Sequence, residues 1–230
     1  MSSDAPTAAP TGGLSFLRKH NEVIIAILLG VVSIATAYAS FQSSLYGGTQ
    51  AQKYTEGSNL STEAESLYLE GNQQFVQDSQ LFDRLTDLQL DIENPDPAIS
   101  EAAQVKYDTI YFQSVSEEFD AAIQNAAAQN EADPEFYYSP MDDEDYQASL
   151  FGTYAETKEK ADETIAEGDK ANGLGDTLTL ATVIMAVSLF LLGIAAVVSS
   201  VRMKLIMGGV GVVIFVVAAV ITATVPVLTL

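Results

Sequence analysis

Four consecutive acids, Asp142-Asp143-Glu144-Asp145, with Asp133 and Glu135 nearby, form the densest set of hard oxygen donors in the chain. Oxygens at this density are the ligand type that Ca²⁺ and Mg²⁺ take. The spacing argues against it. An EF-hand loop alternates its ligands, turns on a central glycine and closes with a glutamate, and none of that pattern is present. The cluster reads as a solvated acidic loop. His20 is the one histidine and follows Arg18 and Lys19 at the edge of an apolar run; a lone imidazole without a second ligand reads as the polar flank of a helix. There is no cysteine, which removes thiolate nucleophiles, thiolate metal sites and disulfides from consideration. No G-x-S-x-G, H-E-x-x-H, Walker or Rossmann pattern occurs. The residues therefore single out no catalytic, cofactor-binding or metal-binding position, and the chain reads as a non-enzyme with no cofactor.

The distribution of charge explains why so acidic a chain is also so apolar. Hydrophobic residues make up 48% of the 230 residues, yet the net charge is −21. From Lys53 to Asp176 there are six Lys or Arg and 29 Asp or Glu, a net of −23. The remainder holds Arg18, Lys19, Arg202 and Lys204 against Asp4 and Glu22, a net of +2. Nucleic acid is excluded as a partner on this count, because no basic stripe exists to neutralise phosphates.

Three stretches lack charge altogether: the residues between Glu22 and Lys53, Thr177 to Val201, and Leu205 to Leu230. A hydrocarbon core of about 30 Å needs about 20 apolar residues in a helix, and in lipid a lone strand cannot satisfy its backbone. The expectation is an all-α integral membrane protein with about three transmembrane helices, over residues 22–45, 177–201 and 205–230. The lipid bilayer is thus the first partner. Arg18-Lys19-His20 and Ala37-Tyr38-Ala39 also resemble the basic region and cleavage site of a signal peptide, but the run is long for one and reads as an uncleaved anchor. The four basic residues beside the spans fit one topology. Residues 1–21 form a disordered cytoplasmic N-terminus, 46–176 an acidic extracytoplasmic domain, and 202–204 a cytoplasmic turn. Past Glu22 at its edge, the first span, like the other two, contains no Asp, Glu, Lys, Arg or His, which weighs against a proton-coupled carrier.

The outer segment carries a helical period. Leu60, Ala64, Leu67, Gly71, Phe75, Phe82, Leu85, Leu88 and Ile92 recur at steps of mostly three, four and seven. Leu67, Phe75, Phe82 and Leu85 fall on one face, expected to pack against the helices that follow Pro97. Asn94-Pro95-Asp96-Pro97 ends this helix. Ile99, Ala103, Tyr107 and Ile110 open a second face, which shifts phase to Phe112, Val115, Phe119, Ala122 and Ala126, as a kink or a doubly buried helix would. Pro134 and Pro140 bracket a loop, and Leu150, Tyr154, Ala161 and Ile165 mark a third helix. Gly47-Gly48 predicts a bend where the first helix leaves the bilayer, and Gly168, Gly173 and Gly175 a loose junction before the second span. Ala26, Gly30, Ser33 and Ala37, and Gly208, Gly209 and Gly211, predict close helix contacts within the chain or between copies.

The stretch from Ala39 to Ala51 (ASFQSSLYGGTQA), followed by Tyr54, Glu63-Ala64 and Asn72-Gln73-Gln74, resembles a group of uncharacterised prokaryotic membrane proteins. Lys170-Ala171-Asn172 leading into Leu180-Ala181-Thr182-Val183 is similar to them as well. The resemblance implies one N-terminal span, an acidic helical middle and C-terminal spans, and implies no activity. The absence of tryptophan is a departure from that group. The expected function is a non-enzymatic membrane protein whose outer helical hairpin or bundle mediates assembly or partner contact, as a homo-oligomer or with a membrane-protein partner. The alternative is a small ion channel or channel accessory subunit whose acidic outer domain concentrates cations.

Overall fold

A computed structural model describes residues 12–229, with side chains from Glu22 onward. Among the described residues all regular structure is helical: α1 (Gly12–Ile92), α2 (Pro97–Ser114), α3 (Glu117–Ala132), a 3₁₀ turn (Pro140–Asp142), α4 (Glu144–Val197) and α5 (Val201–Thr224). Three of these helices are long and apolar enough to cross a membrane, so composition suggests a membrane location.

Helix ends fall where local chemistry puts them. Past Ile92, Asp96 caps α2 by accepting a hydrogen bond from the Ala98 N–H (3.0 Å), and Pro97 occupies the first helical position. The phase shift near residue 112 is neither a kink nor a doubly buried helix. Val115 and Ser116 are extended, and Ser116 starts a new helix by accepting from the Phe119 N–H (3.1 Å). Glu117, Glu118 and Asp120 then place negative charge in the first turn, where the exposed N–H groups favour it.

The glycine expectations need correction. α1 passes through Gly47-Gly48 without a break, and α4 passes through Gly168, Gly173 and Gly175. No described glycine has positive φ. α1 also begins at Gly12, inside the segment read as disordered, while residues 1–11 lie outside the described residues. Between α4 and α5 the chain is non-helical at 198–200, so Arg202 and Lys204 belong to the first turn of α5 rather than to a turn before it.

The chain divides into two compact units, one formed by residues 1–53 and 166–230 and the other by Tyr54–Ile165. In the second unit, α1 buries Gly57, Ala64, Gly71, Asp78 and Leu85, a strict seven-residue repeat. Two of these are glycine for a steric reason. A Cβ on Gly57 would lie 2.5 Å from Ile165 Cγ1, and one on Gly71 would lie 2.5 Å from the Leu150 carbonyl oxygen. α1 and α4 therefore approach to backbone contact at two levels. Beyond Gly71 larger groups fill the interior: Phe119, Ala122 and Tyr146 form a buried cluster, with Phe75, Phe82, Ile123 and Leu150 packed on it. The face expected to meet the helices after Pro97 does so through Phe75 and Phe82, although Leu67, Phe75 and Phe82 are only half-buried.

In the first unit α1 buries Ile25, Val32, Ala39 and Tyr46, again seven apart. α4 buries Leu178, Ala181, Met185, Ser188, Leu192 and Ala195, and α5 buries Gly211 and Ala218. Ser188 Oγ donates to the Gly211 carbonyl oxygen (2.7 Å), and a Cβ on Gly211 would meet Leu192 Cγ at 3.0 Å. Of the three clustered glycines Gly211 makes the close contact; Gly209 faces open space. Ala26, Gly30, Ser33 and Ala37 all face outward, away from the chain's own helices. Past α5 the chain packs on α1. The Gln42 side chain donates to the Leu228 carbonyl (3.1 Å) and accepts from the Leu228 N–H (3.0 Å), and Tyr46 Oη donates to the Pro226 carbonyl (2.8 Å). Gln42 is buried, and both halves of its amide are satisfied. Lys204 is also buried, with the exposed Glu22 carboxylate 3.4 Å from its ammonium.

Candidate functional site

Asp78 occupies a position in the seven-residue line of α1 that elsewhere holds Gly, Ala or Leu. Its side chain is buried, and donors from two helices close around it. Gln74, one turn earlier, directs Nε2 at both carboxylate oxygens (3.0 Å each), and Tyr146 at the start of α4 donates its hydroxyl to Oδ2 (2.8 Å). Burial of a carboxylate is tolerated only with such partners. Burial and the Asp78 charge together push the Tyr146 phenol above its ordinary value, burial being the larger cause. Tyr146 in turn packs on Phe119, ring centroids 5.2 Å apart and tilted by 38°, and Phe119 meets Phe82 edge-on at 6.5 Å. A second tyrosine–carboxylate pair, Tyr111 and Asp120, ties the end of α2 to the first turn of α3. Burial, then this hydrogen bond, raises the Tyr111 phenol.

The acidic cluster is taken apart by the fold. Asp142 ends the 3₁₀ turn. Asp143 accepts from the Tyr146 N–H (2.9 Å) and from Asn125 Nδ2 (2.6 Å), so it caps α4 and links it to α3. The backbone N–H of Tyr146, then the Asn125 amide, hold its carboxyl below the usual range. Glu144 and Asp145 lie in the first turn of α4. An open cleft of about 550 Å³ separates α3 from this cap, edged by Glu117, Glu118, Asn125, Asp143 and Asp145. The acids edge it without converging. Among the described residues no group of three Asp, Glu, His or Cys side chains stands where it could hold a metal ion. His20 lies outside the described side chains.

No family model, curated protein or solved structure matches the chain. What the arrangement can do rests on its own chemistry. The Asp78–Tyr146 pair is enclosed and fully partnered, and no buried side-chain polar atom among the described residues lacks a hydrogen bond. It is a locking element between α1 and α4. The surfaces around it present carboxylates and, beyond the cap, a loop of three aromatic residues, Phe136-Tyr137-Tyr138. A surface of that kind attracts cations.

Proposed function

We propose that the chain is a non-enzymatic integral membrane protein whose outer helices assemble with a second copy of the chain. One observation carries this reading. On α2 the residues Ala98, Ala102, Val105, Thr109 and Phe112 are all exposed, at steps of four, three, four and three. That is the spacing of a helix–helix seam, and Phe112 at its end is 90% exposed. An exposed aromatic ring that continues an exposed face of this register supports a contact with another helix. The outward-facing Ala26, Gly30, Ser33 and Ala37 of α1 support it, since small residues let helices in lipid approach closely.

The seam must work against charge. Residues 54–165 hold four Lys or Arg and 26 Asp or Glu, a net of −22. Self-association should therefore strengthen as salt is raised, because like-charge repulsion is screened over a Debye length of about 10 Å at 0.1 M. Phe112→Asp should weaken association by about tenfold or more, from the apolar burial lost and the charge gained. Native mass measurement of the detergent-solubilised chain reads both effects. A strict monomer at every salt concentration defeats the reading.

The N-terminus lies in the cytoplasm and residues 46–176 outside it in this reading, on the strength of Arg18, Lys19, Arg202 and Lys204. With no native cysteine to interfere, single cysteines can test it. Cysteines at the exposed Ser58 and Ser114 should react with an impermeant maleimide on intact cells, and one at the exposed Met203 should not. The reverse pattern overturns the topology.

A further inference from the structure

We propose that the loop joining α3 to the 3₁₀ turn is a binding site for a small quaternary ammonium ion. It stands on a different observation from the assembly reading and survives that reading's failure.

The loop is fixed rather than free. Asn130, near the end of α3, donates Nδ2 to the Tyr138 carbonyl and accepts from the Tyr138 N–H, both at 2.8 Å, as a strand partner would. Ser139 caps the 3₁₀ turn by accepting from the Met141 N–H (3.2 Å), and Pro140 behind it is buried. Held this way, Phe136 and Tyr138 set their rings 5.3 Å apart and tilted by 53°. They border a cavity of about 160 Å³, completed by Tyr137 and Ser139 of the same loop, by Ala126 and Gln129 from α3, and by Asp142 and Asp143. Phe136 is 66% exposed and Tyr137 68%. Both therefore present ring surface that a ligand can reach.

The walls select the ligand. Aromatic ring faces carry negative potential and attract cations, most of all bulky ones that surrender their hydration easily. Asp143 stays ionised, because the Tyr146 N–H and Asn125 hold its carboxyl low. Asp142 is exposed beside it. No Lys or Arg lines the cavity. Among the described residues no group of three or more Asp, Glu, His or Cys side chains stands where it could hold a metal ion, here included. The cavity is also smaller than the roughly 300–1,000 Å³ of drug-sized ligands. A tetraalkylammonium head group satisfies all of these conditions: one positive charge, an apolar surface for the rings, and small size.

The test uses the full chain in a maltoside detergent, which carries no ammonium group, with choline titrated by calorimetry at constant ionic strength. Saturable binding is expected. The neutral carbon analogue 3,3-dimethylbutan-1-ol, of the same shape, should bind about tenfold more weakly or not at all, since it lacks the charge the rings recognise. Phe136→Leu and Tyr138→Leu should each weaken choline about threefold to tenfold, while Tyr138→Phe, which keeps the ring, should not. Asp142→Asn should weaken it as well. Non-saturable binding, equal binding of the neutral analogue, or retention of affinity in both leucine variants would overturn the proposal. Unchanged thermal unfolding of the two leucine variants separates loss of the ring face from loss of the fold.

Discussion

Replacing Phe119 by Ala should destabilise the Tyr54–Ile165 unit by about 3–5 kcal/mol, the range for an aromatic truncated in a closed core. Phe119 is fully buried and touches both the Tyr146 ring and the Phe82 ring. It also opens α3, where its N–H meets the Ser116 cap. The substitution keeps that backbone bond, so the loss comes from the cavity. Phe82→Ala should cost less, because Phe82 is only half-buried. Thermal or denaturant unfolding in detergent, followed by helical signal, measures both, and the loss should not vary with protein concentration. If Phe119→Ala costs under 1 kcal/mol, the aromatic cluster is not the core of this unit.

The second large effect concerns the buried carboxylate. Tyr146→Phe leaves Asp78 in place with one fewer donor and should cost about 1.5–3 kcal/mol, as expected for a hydrogen bond to a charged group. Changing Asp78→Leu as well removes the stranded carboxylate and restores an apolar residue to the line. The double variant should therefore be more stable than the Tyr146→Phe single variant, although it carries one more substitution. Additive losses would contradict the pairing. Alkali offers an independent readout. The Tyr146 and Tyr111 phenols are raised in the folded state, so their contribution is fully present below the ordinary tyrosine value of about 10. It is lost as the pH climbs from there towards the folded value, because the unfolded chain releases its phenolic protons first. In Tyr146→Phe that alkaline loss should shrink.

The helices were legible because their cause is local. Apolar residues at three- and four-residue steps mark a buried face whatever it packs on, and Asn94-Pro95-Asp96-Pro97 stops a helix by its own chemistry. Contacts between distant segments were not. Gly57 and Gly71 differ from Gly47 and Gly48 only in having α4 against them, so the same residue type marks a close approach in one place and nothing in the other. Gly47-Gly48 consequently reads as a bend in the sequence and is plain helix in the structure. Asp78 was hidden by its type. It sits midway between Gly71 and Leu85 on the seven-residue line, and an acid there looks like one more solvated charge. The available signal was arithmetic: the line is unbroken only if Asp78 belongs to it. The phase shift at Phe112 likewise recorded a real change of direction, and Ser116 followed by acids was the cap that explained it.

Gln42 and Leu228 are 186 positions apart in the chain, and that distance has a meaning during synthesis. The ribosome makes the first apolar stretch, with its polar amide, long before it makes the backbone that answers the amide. If the stretch enters the bilayer as it emerges, Gln42 stays unanswered while the next 186 residues are translated. Until then the nascent protein carries a polar side chain in an apolar helix without the backbone partner that the finished chain gives it. The seating of Val225–Leu228 on Ala39, Gln42 and Tyr46 thus closes a gap left by the order of manufacture.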